Sequence, residues 1–132
     1  MERVLGIGGL FVRSTDPAAL ARWYADRLGV TEVPDSYEGP SWQQQGGTTV
    51  FAPFPKDTAY FGRDTQQFMV NFRVRDLDAM VGQLRALGET VEVDPETYPN
   101  GRFAQLTDPE GNPIQLWQEM DADQATERPG AT

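Results

Sequence analysis

The sequence predicts an α+β fold built from two βαβββ modules, and two observations carry that prediction. Residues 12–29 read V-R-S-T-D-P-A-A-L-A-R-W-Y-A-D-R-L-G, and residues 74–88 read V-R-D-L-D-A-M-V-G-Q-L-R-A-L-G. A strand end, an aspartate, an apolar helical stripe and a closing Leu-Gly therefore occur twice, at a spacing of about 60 residues. Each copy is followed by short β-prone runs divided by glycine and proline, the usual punctuation of strands. One helix covers only one face of a four-stranded sheet. The two remaining faces are expected to meet and enclose a cleft, the natural place for a ligand.

In the first module, residues 4–12 form an apolar, glycine-interrupted run that reads as a strand. Asp16-Pro17 opens a helix, because aspartate caps free N–H groups and proline suits the first helical position. Leu20, Trp23, Tyr24 and Leu28 make one apolar stripe, and Gly29 is placed to close the helix in the left-handed conformation. Strands are expected around residues 30–33, 42–45 and 48–52, separated by Pro34, Gly39-Pro40 and Gly46-Gly47. Residues 53–66 read as a connector in which Tyr60 and Phe61 are available for packing or lid contacts.

The second module repeats this order. Over residues 68–74, Phe68, Val70, Phe72 and Val74 alternate with Met69, Asn71 and Arg73 on the opposite face. Asp76 caps a helix carrying Leu77, Met80, Val81, Leu84 and Leu87, and Gly88 ends it. Strands follow near residues 90–93, 102–107 and 113–118, with a tight turn at Asp108-Pro109-Glu110-Gly111-Asn112. One domain is expected over residues 1–120, with modules at about 4–53 and 67–119. The polar tail, residues 121–132, is expected to fray.

Composition narrows the function. A chain of 132 residues can bury a real core. No apolar run approaches the roughly 18 residues of a membrane span, and the N-terminus does not read as a secretory signal, so no membrane partner is expected. The absence of cysteine removes any disulfide framework and makes the cytoplasm the default compartment. Net charge is −9, from 20 acidic and 11 basic side chains, which is a poor surface for nucleic acid. That charge keeps a protein soluble; it also suits a site that attracts cations.

With neither histidine nor cysteine, the chain offers no triad or thiolate. The Asp108–Asn112 turn brings its glycine two positions too early for a calcium loop, and Gly6-Ile7-Gly8-Gly9 lacks the Gly-Lys-Ser/Thr ending of a phosphate loop.

The strings G-G-L-F-V-R-S-T-D-P-A-A-L-A-R-W-Y-A-D-R-L-G, F-R-V-R-D-L-D-A and D-P-E-G-N-P-I-Q-L-W-Q resemble the vicinal oxygen chelate superfamily. That superfamily includes glyoxalase I, extradiol dioxygenases, fosfomycin-resistance enzymes and bleomycin-binding proteins. The resemblance spans about residues 4–119 and implies the glyoxalase/bleomycin-resistance-type fold, with paired modules, a ligand cleft between mixed sheets, and often dimerisation. Metal-dependent members hold a divalent ion with His, Gln or Glu from the first and last strand of each module. Carried onto this chain, those positions fall on Met69, Gln115, Ile7 (or Gly9) and Val50 or Phe51. Only Gln115 is a usable donor, whereas a hard cation needs several. No metal or other cofactor is therefore expected.

The candidate ligand-binding residues are Phe11, Trp42, Met69, Asn71, Arg73, Arg102, Gln115 and Trp117. Strand alternation turns Met69, Asn71, Arg73, Gln115 and Trp117 into the cleft and leaves Ile114 and Leu116 for the helix side. The repeat register aligns Phe11 with Arg73. Trp42 and Arg102 are added together with Gln44, Tyr98 and Phe103, whose register the sequence does not fix. An apolar cleft with amide and guanidinium groups suits a flat organic ligand; alternatively the same side chains simply pack between sheets. The leading expectation is metal-independent binding of a small organic molecule, as in the bleomycin-binding branch, with cationic planar antibiotics favoured by stacking and cation–π contacts. The competing expectations are a glyoxalase-like lyase or isomerase, or a dioxygenase-related enzyme, with an atypical site, and a structural or regulatory dimer that binds nothing. A homodimer is expected, with Leu5, Trp23, Phe54 and Trp117 as apolar groups available for its surface.

Overall fold

The computed structural model describes residues 1–120; the tail at 121–132, and the fraying expected of it, lie outside the described residues. The element order is α1 (Pro17–Leu28), β1 (Val70–Arg73), α2 (Leu77–Ala86), β2 (Glu92–Val93), β3 (Gly101–Thr107) and β4 (Pro113–Glu119). The four strands form one mixed sheet in the order β1-β4-β3-β2. β1 runs parallel to β4, and the other two pairings are antiparallel. Among the described residues, no helix is long and apolar enough to cross a membrane.

Both helices start where the sequence places their caps. The Asp16 carboxylate accepts from the Ala19 N–H at 3.1 Å and the Asp76 carboxylate from the Ala79 N–H at 3.0 Å, each worth about 1 kcal/mol. Pro17 occupies the first turn of α1, and Gly29 closes it at φ 74°, a conformation that favours glycine.

Side-chain alternation divides the sheet into two faces. Ala104, Leu106, Ile114 and Leu116 point toward the helices, where Leu77, Val81 and Leu84 of α2 and Trp23 of α1 cover them. Leu77, Leu84, Ile114 and Leu116 are fully buried. Truncating any one to alanine would cost about 2–5 kcal/mol.

The α1 helix lies on this same sheet because side chains of the second module hold it there. Glu89 accepts from Trp23 Nε1 at 3.1 Å and from Arg27 Nε at 3.2 Å. Asp108, only 4% exposed, accepts from the main-chain N–H groups of Glu110 and Asn112, from Asn112 Nδ2 and from the Tyr24 hydroxyl. Burial, then Asp108, pushes the Tyr24 phenol far above its ordinary value. Glu110 reaches the N-terminus of α1, accepting from the Ser14 and Thr15 hydroxyls and from the Thr15 N–H. The Asp108–Asn112 turn is thus the dock for the first helix.

The α+β class and the complete second module match the sequence reading, but the expected strands of the first module do not form a ladder. Residues 4–12, 30–33, 42–45 and 48–52 carry no strand pairing. Leu5 is 107% and Phe11 92% exposed. The physical reason is that α1 spends its apolar stripe on the second module's sheet. Residues 4–12 are left with neither a helix to cover them nor a neighbouring ladder. The apolar set expected at a dimer surface also divides: Trp23 and Trp117 are buried, while Leu5 and Phe54 are exposed.

Candidate ligand-binding site

The sheet face turned away from the helices holds two parallel rows of side chains. Asn71, Gln115 and Gln105 are register partners across β1, β4 and β3, and Arg73, Trp117 and Phe103 form the next row. Neighbouring strands lie roughly 4.8 Å apart, so each row spans about 10 Å.

The first row is a string of amides. Asn71 Nδ2 donates to Gln115 Oε1 at 2.7 Å, and Gln115 Nε2 donates to the Tyr60 hydroxyl oxygen at 2.8 Å. Gln105 Nε2 approaches the Met69 sulfur at 3.8 Å. Tyr60 is steadied by Phe54, whose ring centroid is 5.9 Å away, and Phe54 also meets Phe61 at 5.2 Å.

The second row is aromatic, with a cation at one end. Phe103 and Trp117 stack with centroids 6.1 Å apart and planes 5° from parallel. Tyr98 packs edge-on to Phe103 at 5.8 Å. Trp117, 5% exposed, donates its indole N–H to the Asn100 carbonyl at 2.8 Å. The Tyr98 hydroxyl donates to Asp94 at 2.8 Å, and this bond pushes the phenol up to about 12. Arg73 donates to the Gln45 carbonyl at 2.7 Å and to the Gly46 carbonyl at 3.4 Å. Thr48 donates to Glu119 at 2.7 Å, so residues 45–48 cross this end of the sheet.

The open face therefore brings together Met69, Asn71, Arg73, Gln115 and Trp117, and adds Phe103. Three sequence candidates lie elsewhere. Arg102 is on the helix side, where it pairs with Asp78 of α2 at 3.0 Å and holds that carboxyl below its ordinary value. Alternation along β3 sends Phe103 and Gln105 outward and Arg102 and Ala104 inward. Trp42 packs edge-on to Phe72 at 6.4 Å, on the side of β1 that faces the helices. Phe11 sits in the unpaired segment and does not reach the sheet face. Gln105 was missed, although it follows from strand alternation once the side of Arg102 is known.

The positions that hold metal in the superfamily do not make a cation site here. Met69 supplies a thioether, and Gln115 supplies a neutral amide oxygen that already accepts from Asn71. Ile7, Gly9, Val50 and Phe51 have no side-chain donors. A divalent cation needs several hard donors with charge among them. Among the described residues, no three His, Cys, Asp or Glu side chains are grouped to hold one.

A family model described as a glyoxalase-like domain matches residues 9–117. No curated protein matches the chain. Among solved structures, TnmS3, an antibiotic binding protein from Streptomyces sp. CB03234, is similar with a TM-score of 0.58 and 21% identity, over 89% of this chain and 99% of that one. A member of the glyoxalase/bleomycin resistance protein/dioxygenase superfamily from Sphaerobacter thermophilus gives 0.52 and 23%, over 80% of this chain and 90% of that one. Both are likenesses of fold. A glyoxalase/bleomycin resistance protein from Streptomyces sp. CB03234 is 35% identical, but over 40% of this chain and 46% of that one, with a TM-score of 0.36. The chain thus spans less than half the length of that relative.

Proposed function

The chain belongs to the glyoxalase-like domain family, and from that premise we propose that it binds a small, flat organic molecule on the open sheet face without a metal ion. The observation that carries this reading is the adjacency of an aromatic row, Phe103–Trp117, to an amide row, Asn71–Gln115–Gln105. Aromatic side chains supply area and ring–ring contact, and the amides supply donors and acceptors that fix orientation. That combination is the common makeup of small-molecule sites. The antibiotic binding printed for TnmS3 belongs to that protein; its fold likeness makes a drug or metabolite the first class to screen here. The donor set at the superfamily's metal positions favours binding over metal-assisted chemistry.

The working unit in this reading is a homodimer. The β1 strand is at the edge of the sheet, and Ile7, Leu10, Phe11, Val50 and Phe51 are exposed on chain without strand pairing. Exposed apolar segments and open edges pair with something, and a second copy offers the same segments and the same edge. Sedimentation at micromolar concentration should give twice the 14.7 kDa chain mass; a monomer would contradict the dimer.

A thermal-shift screen of chelator-treated protein against amphiphilic antibiotics and aromatic metabolites tests the binding. A ligand at 100 times its Kd should add about 2.7 kcal/mol of stability. Failure of every compound at millimolar concentration would contradict the reading.

A further inference from the structure

We infer that Arg73 makes this open sheet face selective for planar aromatic acids, meaning flat ring systems that carry a carboxylate or an acidic phenol. The inference rests on the proposed small-molecule site and specifies the chemistry of its occupant.

The first support is the isolation of the charge. Arg73 is half-buried, and among the described residues no carboxylate lies within ion-pair distance of it; the ion pairs there are Arg27–Glu89 and Arg102–Asp78. The other side chains of the two rows, Asn71, Gln105, Gln115, Phe103 and Trp117, are neutral, as are Met69 and Tyr60. Three carboxylates flank this face, none within ion-pair distance of Arg73: Glu92 beside Gln105 on β2, Asp94 taken up by the Tyr98 hydroxyl, and Glu119, two residues beyond Trp117 and taken up by Thr48. A guanidinium drawn partly out of water without an opposite charge gains from an anionic ligand.

The second support is that the arginine is held ready. The Gln45 and Gly46 carbonyls engage one N–H on each terminal nitrogen, so three of the five guanidinium N–H groups remain for other acceptors. Planar, forked donors match a carboxylate. The Gly46-Gly47 segment lies close against the guanidinium, since a Cβ at Gly47 would collide with Arg73 Nη1.

The third support is length. Arg73 and Phe103, both half-buried, stand at the two ends of a row that spans two strand spacings, about 10 Å, over the buried Trp117, which suits a two- or three-ring system with its acid group at one end. The net charge of −9 favours cations at long range. Screening over about 8 Å at physiological salt leaves contact chemistry to decide affinity, and Arg73 opposes a cation at that point.

Three naphthalene probes of matched shape test this: 2-naphthoate, neutral 2-naphthamide and cationic 2-(aminomethyl)naphthalene, titrated by isothermal calorimetry and by side-chain amide NMR shifts. The expected result is that 2-naphthoate binds at least tenfold tighter than either analogue. Arg73→Gln should lower it to the amide's affinity, while Arg73→Lys keeps part of the preference. Equal or tighter binding of the amide or the cation by the wild-type protein overturns the role of Arg73 and leaves binding on the open face intact. An unchanged preference in Arg73→Gln, with a native circular dichroism spectrum, does the same. No binding of any probe overturns both.

Discussion

The Asn71 side-chain amide donates to Gln115 Oε1 at 2.7 Å across the β1–β4 pair, and Gln115 donates in turn to the Tyr60 hydroxyl at 2.8 Å. This gives the row a direction. Because the Tyr60 oxygen accepts a hydrogen bond from Gln115, its own hydroxyl proton is left to donate elsewhere, and a ligand oxygen on the open face is the natural acceptor. Gln115 is thereby a fixed link between sheet and connector.

Removing that link should weaken the site by a measurable amount. Gln115→Ala should weaken 2-naphthoate binding by about 0.5–1.5 kcal/mol, one neutral hydrogen bond. Tyr60→Phe should cost a similar amount, with the double variant less than additive because the two groups share one bond. Calorimetric titration of the four proteins checks this; strict additivity would separate Tyr60 from Gln115. Gln115→Glu should create no stoichiometric, tight zinc site, since Met69 remains its sole companion among the superfamily positions.

The buried carboxylate of Asp108 should be worth far more than an exposed one. Asp108→Ala leaves four donors without their acceptor and should destabilise the fold by about 3 kcal/mol in urea unfolding. Tyr24→Phe removes one of those donors and should cost about 1 kcal/mol. If Asp108→Ala were near neutral, the turn would not be the dock for α1.

Much of this docking was not legible from sequence, whereas the helices were. Caps at Asp16 and Asp76, apolar stripes and terminal glycines are local signals, and both helices begin where those signals put them. The final strand was legible too, because Ile114 and Leu116 fix which side Gln115 and Trp117 take. Arg102 was not: an arginine between apolar neighbours can face either way, and its partner Asp78 sits 24 positions earlier in the chain. The strand pattern of residues 4–12 is plain in the sequence, but a strand needs a second edge, which is a property of the assembled molecule. Tyr60 lies in a connector without periodicity, so its bond to Gln115 has no local signature.

Glu110 should make stability depend on pH in one direction. Hydrogen bonds from the Ser14 hydroxyl, then from the Thr15 N–H, hold its carboxyl below the ordinary value of 4.5. A carboxyl depressed in the folded state stabilises above its unfolded pKa, and that contribution is lost as pH falls through the folded value. Wild type should therefore unfold at higher temperature than Glu110→Gln at pH 7, with the gap closing as the pH is taken below 4.5. A gap that persists unchanged in acid would contradict the assignment.

Gly47→Ala should act on binding through Arg73. The added Cβ would meet the guanidinium, the flexible end of the side chain, which shifts away from the Gln45 and Gly46 carbonyls. The preference of 2-naphthoate over 2-naphthamide should fall severalfold while the circular dichroism spectrum stays native. Full retention of the preference would mean that these carbonyls do not position Arg73.

The central claim is that the open face of the sheet is a metal-independent small-molecule site. Its most direct test is a titration of isotopically labelled, chelator-treated protein with 2-naphthoate, followed by NMR. The account predicts saturable shifts concentrated on the side-chain amides of Asn71, Gln105 and Gln115 and on the Trp117 indole N–H, unchanged when zinc or nickel is added. Shifts that appear only after metal is supplied, or that fall on the helix face around Arg102 and Asp78, would contradict it.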